Sequence, residues 1–79
     1  MLKNGVNKDN IELLNNLSGL THKEWGKKLN MNIATVSIKL NCTTSWKVEE
    51  AYIFANHFGL SIEQAFFRKL DLSKVVIKW

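Results

Sequence analysis

Apolar residues recur at three- and four-residue spacing in five stretches of this chain, and small polar residues or glycines stand between most of them. In the first stretch Ile11, Leu14 and Leu17 fall on one face, Asp9 and Glu12 form a capping pattern at its start, and Gly19 marks its end. The eight residues before Asp9 carry no such periodicity and read as loose. The second stretch begins at Thr21, which with Glu24 three positions on can satisfy the orphan donors of a helix start. Trp25 and Leu29 then share a face, while Gly26 leaves room for a close approach. Asn30 tolerates the left-handed conformation that ends a helix, and Asn32 is a preferred cap for the next one. Only Met31 lies between them, so two helices are joined by a turn too short for anything but a steep crossing, with Met31 plugging the elbow.

In the third stretch the spacing of Ile33, Val36 and Leu40 predicts a buried stripe, which turns Ala34 and Ile38 outward, with Thr35, Ser37, Lys39 and Asn41 as polar flanks. A polar connector, Cys42 to Ser45, leads to a helix over about 46–57 that carries Val48, Ala51, Tyr52, Ala55 and Phe58 at helical spacing and closes at Gly59. Ser61 and Gln64 repeat the capping box before Ile62, Ala65, Phe66 and Leu70. The end differs in kind. Val75, Ile77 and Trp79 alternate with Val76 and Lys78, and this β-branched run favours an extended strand. A lone strand needs a partner, and a two-fold copy of itself is the economical one, which makes residues 74–79 a candidate dimer arm. The prediction is an all-α, compact five-helix bundle in one domain, 1–79, with a helix-turn-helix unit over 21–41 and a short C-terminal tail, 71–79, that can run extended.

Length and charge narrow this without changing it. A chain of 79 residues builds one small core of marginal stability, and pairing into a homodimer is an expected remedy. The formal net charge of +4 and a pI near 9.4 suit a polyanionic partner or solubility alone. A single cysteine forms no internal bridge, no apolar run reaches the length of a membrane span, and the start MLKNGVNKDN has no signal-peptide core; the expected setting is the cytoplasm, with no membrane partner. Chemistry is sparse. His22 and His57 are far apart and share no metal-ligand spacing with Cys42 or a carboxylate, and there is no phosphate loop, nucleophile motif or carboxylate pair with a reason to be buried. No enzymatic activity, catalytic residue, metal, cofactor or small-molecule substrate is expected. Trp25, Trp46, Phe66 and Phe67 read as core residues.

The order Leu20 to Asn41, then Ser45-Trp46-Lys47, a helix through Ala51 to Phe58, Gly59-Leu60 and a short helix Ser61 to Phe67 resembles the helix-turn-helix domain of small phage repressors of the Cro/CI type, over roughly three-fifths of the chain. The resemblance implies a lambda-repressor-like fold and a sequence-specific transcriptional regulator of a phage-type genetic switch in a bacterial host, with 33–40 as recognition helix in the major groove of a double-stranded operator. It implies base-facing roles for Ile33, Ala34, Thr35, Ser37 and Ile38, and phosphate contacts from His22, Lys27, Lys28, Lys39, Asn41, Thr43, Thr44 and Lys47. Ile33 thus has two assignments, buried by periodicity and DNA-facing by resemblance. Three departures from the pattern stand out: Asn30 replaces the usual turn glycine, Cys42 stands where glycine is frequent, and Ile33 and Ile38 both stand where polar side chains commonly face DNA. The isoleucines motivate a second reading, an antirepressor or modulator that docks this apolar face onto a cognate repressor protein.

Overall fold

The computed structural model describes residues 5–41 and 45–77. They form helices α1 (Lys8–Ser18), α2 (His22–Leu29), α3 (Ile33–Leu40), α4 (Val48–His57) and α5 (Ile62–Phe66), followed by a 3-10 turn at Leu72–Lys74. The result is a compact, all-helical globule, with α2 packed on α3 and α4, α1 on α3 and α5, and α4 on α5.

Local signals place most helix ends. Thr21 and Glu24 make the reciprocal capping box, with Glu24 N–H donating to Thr21 Oγ1 (3.2 Å) and Thr21 N–H donating to Glu24 Oε1 (3.0 Å). Ser61 and Gln64 repeat it at α5. At α1 the cap is Asn7, whose Oδ1 accepts from Asn10 N–H, two residues earlier than the Asp9–Glu12 pattern predicts. Of the residues before α1, Val6 and Asn7 are not loose: Asn7 N–H donates to Phe66 O, and Val6 packs on the core, while residues 1–4 lie outside the described residues. Asn10 is buried on the same side and donates from Nδ2 to Arg68 O, so two bonds fasten the start of α1 to the end of α5.

Five aromatic rings fill the centre. Phe54 lies 4.9 Å from Trp25, 5.3 Å from Trp46, 5.2 Å from Phe58 and 5.8 Å from Phe66, all five being fully buried. Tilted and edge-on pairs at these separations add to the burial energy, about 1 kcal/mol each. The Trp25 indole N–H donates to Asn15 Oδ1, tying α2 to α1.

Outside the helix-turn-helix unit, Phe67 is exposed where the sequence reads as core, and burial departs from the pattern in three further places. Leu17 is exposed, because the inward slot one turn after Leu14 is taken by Ser18, whose hydroxyl donates to Asn15 O and accepts from Leu20 N–H, holding the chain as it turns at Gly19. On α4 the inward stripe is Ala51, Phe54, Ala55 and Phe58, a strict i, i+3, i+4, i+7 set, so Val48 and Tyr52 stand at its edge in solvent. That helix starts at Val48, and Trp46 enters the core from the connector. The third difference is the tail. Val76 N–H donates to Phe58 O at the end of α4, Val75 and Ile77 pack against the core, and Val76 points outward. The alternation is real over 75–77, and there the segment lies against its own chain; no strand occurs among the described residues. Lys78 and Trp79 lie outside them.

Candidate nucleic-acid interface

The elbow between α2 and α3 is fixed by three residues. Asn30 adopts the left-handed conformation (φ 56°, ψ 51°), Met31 N–H returns to Gly26 O, and Asn32 caps α3 by accepting Thr35 N–H at 2.8 Å. Gly26 is required here. A Cβ at this position would meet Met31 O at 2.7 Å, so the close approach expected of this glycine is made by the backbone of the turn itself.

With the elbow set, α3 puts Val36 and Leu40 into the core and leaves Ile33 54% and Ile38 45% exposed, with Ala34 exposed between them. The buried assignment of Ile33 is thereby corrected. It is the first residue of the helix, where no neighbouring element covers it, and a stripe of Val36, Leu40 and the turn of α2 closes without it. Thr35 and Ser37 are half-buried on the flanks.

Beside this face runs an open groove lined by Lys23, Gly26, Lys27, Asn30, Met31, Asn32, Ile33 and Ala34. Two lysines and no carboxylate stand among these residues. Lys23 and Lys27 are four apart on α2 and share its outer side, so the charge of one reinforces that of the other along one line. Lys28 points elsewhere: its charge acts on His57, whose imidazole is held below its ordinary value of 6.5 first by burial and then by this lysine. His57 itself lies between Trp25 and Phe58, at 5.2 and 5.1 Å, inside the bundle.

Lys39 is where the structure differs most from the expected site. It is only 6% exposed, its ammonium is 2.9 Å from Glu50 Oε1, and it also donates to Ser45 O. The same Glu50 oxygen accepts Lys47 N–H at 2.8 Å, so one lysine and one carboxylate join the end of α3, the far side of the connector and the start of α4. Burial raises the Glu50 carboxyl, but the Lys47 amide and Lys39 outweigh it and the group stays charged below its ordinary value of 4.5. Lys39 therefore acts as a strut and is not available to a phosphate.

His22 is half-buried and, with Asn41, lines a second polar cleft together with Lys8, Glu12, Asn15, Asn16 and Leu40. Lys47 is exposed at the start of α4. Thr43, Thr44 and Cys42 lie outside the described residues. Ile33, Ala34 and Lys27 are thus brought together, Ile38 and Ser37 continue the same helix, and Lys28, Lys39 and Lys47 do not join that face. Of the eight lining residues, Lys23, Gly26, Asn30, Met31 and Asn32 are not among the expected site residues; for Lys23 the i, i+4 relation to Lys27 is the signal that finds it.

Among the described residues no group of three or more His, Cys, Asp or Glu side chains comes together as a metal site, and no helix is long and apolar enough to cross a membrane. Comparison of the chain with family models, with curated proteins and with solved structures finds no match in any of the three.

Proposed function

We propose that this chain is a sequence-specific DNA-binding transcriptional regulator of a phage-type genetic switch, acting in a bacterial cytoplasm as a homodimer on an operator of two half-sites. The observation that carries the reading is the outward face of α3, uncovered along Ile33, Ala34 and Ile38 and bordered by Lys23 and Lys27 with no carboxylate in the groove between. In this reading α3 enters the major groove, and Lys23 and Lys27 neutralise phosphates along one strand. His22 and Asn41 would meet the backbone at the other end of the unit, and the half-buried Thr35 and Ser37 hydroxyls would bond base edges beside the isoleucines. The strut Lys39–Glu50 would hold Ser45 and the start of α4 against the end of α3; Thr43 and Thr44, which lie outside the described residues, are proposed as further phosphate contacts.

The test is preference. The region upstream of the chain's own reading frame should outcompete random-sequence duplex for the purified protein, and equal competition by the two would defeat the claim of sequence specificity.

The apolar character of the same face favours a second reading, a modulator that covers the DNA-reading surface of a cognate repressor. The two separate on Ile38→Asp against Lys27→Ala. A protein partner is lost with the buried aspartate and is little affected by salt or by the lysine, whereas DNA responds to both.

A further inference from the structure

We propose that α3 recognises the C5-methyl groups of thymine, so that the half-site is specified by methyl contacts at A·T pairs and not by a donor and acceptor fork. The inference rests on the DNA-binding reading and names the chemical class of sequence that it selects.

The outward face of α3 carries Ile33, Ala34 and Ile38, of which Ala34 and Ile38 stand one turn apart and Ile33 opens the helix. None of the three has a polar side-chain atom. The long donors of the α2–α3 unit are placed elsewhere: Lys39 is buried against Glu50, Lys28 stands toward His57, and Lys23 and Lys27 lie along α2, beside the face and not on it. What α3 offers to a groove is therefore a row of methyl groups flanked by two hydroxyls.

Only one feature of the major groove is complementary to such a row. The thymine C5-methyl is the apolar group that base pairs display there, whereas G·C pairs display the acceptors of guanine and the N4 donor of cytosine. Seated over a G·C pair, Ile33 or Ile38 would displace water from those polar atoms and return no hydrogen bond, which costs affinity. Over thymine the same side chain buries methyl against methyl. Selection thus has an attractive part at A·T and a penalty at G·C. Charge decides the occupant in favour of nucleic acid: the groove adjoining these residues holds Lys23 and Lys27 and no carboxylate, which fits a polyanion better than an apolar protein surface.

The experiment selects a duplex from a random-sequence pool and measures its binding by fluorescence anisotropy twice, once with thymine and once with deoxyuridine, which differs only by the missing methyl. For the unaltered protein the uridine duplex is expected to bind roughly threefold to tenfold more weakly for each methyl contacted, on the scale of one buried carbon. Ile38→Ala and Ile33→Ala, both at exposed positions, keep the fold by circular dichroism and shrink that ratio toward one, with the salt slope unchanged because no phosphate contact is lost. Equal binding of the two duplexes by the unaltered protein overturns methyl recognition while leaving DNA binding in place, and a uridine penalty that persists in both alanine variants and in the double variant overturns its assignment to the isoleucines of α3. Failure to select or bind any duplex at low salt is a different result: it removes the DNA reading and the inference with it.

Discussion

The aromatic centre and the outer face of α3 use the same kind of side chain for opposite ends. Trp25, Trp46, Phe54, Phe58 and Phe66 are apolar and fully buried, whereas Ile33 and Ile38 are apolar and about half exposed on a helix of only eight residues. A small domain has little apolar surface to spare; Ile33 and Ile38 are two of ten large apolar side chains exposed among the described residues, and Ile33 lines a groove with Lys23 and Lys27. The difference separates side chains that hold the fold together from side chains that the fold leaves uncovered. It also divides the lysines: Lys39 belongs with the buried region through Glu50, and Lys23 and Lys27 belong with the open one.

The sharpest way to break that comparison is Phe54→Ala. Removing the ring that touches four others should cost about 3–5 kcal/mol, enough to unfold most of the population of so small a domain, and chemical denaturation reads it directly. A loss below about 1 kcal/mol would mean that the ring cluster is not the core.

Lys39→Ala comes next. It strands Glu50 in a mostly buried position and frees the connector from Ser45, for an expected loss of about 2–3 kcal/mol. Lys27→Ala should leave the melting temperature nearly unchanged. If the two lysine variants melted alike, the division between strut and rim would be wrong. Gly26→Ala forces the Met31 carbonyl away; the gain in helix propensity offsets part of the clash, leaving a net cost of about 1–2 kcal/mol in a thermal melt. An alanine at this position that stabilised the domain would show that the elbow is not tight.

Acid should reveal two groups in turn, the buried His57 and the partly buried Glu50. His57 has a depressed value in the folded state, so the unfolded chain takes up its proton first; its contribution is complete above the ordinary value of 6.5 and is lost as the pH falls below it. Glu50 is also depressed, and what it adds is complete above 4.5 and lost as the pH falls through its folded value. Stability followed from pH 8 downward should decline first below about 6.5, and His57→Leu should remove that first decline while leaving the second. An unchanged first decline in that variant would assign it to another group. The smallest expected effect is on the outer face: Ile38→Ala should change stability by less than about 0.5 kcal/mol.

What could be read from the chain alone follows range. The pairs Thr21/Glu24 and Ser61/Gln64, the left-handed Asn30 and the cap Asn32 are settled by partners four or fewer residues away, and the fold class follows from them together with helical spacing. The bond that buries Lys39 reaches Glu50, eleven positions on and in another helix, and nothing local announces it. Likewise Val48 and Tyr52 had as good a helical spacing as Ala51 and Ala55, but α4 meets its neighbours over a stripe centred on Phe54. The tail reads correctly as alternating, yet which surface it pairs with depends on the Phe58 carbonyl at the end of α4, a group made available only by the tertiary structure. At the candidate site, outward placement of Ala34 and Ile38 was legible, Ile33 needed the structure to choose between two assignments, and Lys23 joined only once the groove was visible.

The central claim is that the open face of α3 with its lysine border holds duplex DNA, and the most direct measurement is the affinity for the upstream duplex across a salt series, for the unaltered protein and for Lys27→Ala. The account predicts a linear fall of log affinity with log salt, and a slope smaller by about 0.9 in the variant, as expected for one lost phosphate contact. Binding that ignores salt, a slope that Lys27→Ala does not change, or no binding even at low salt would contradict it.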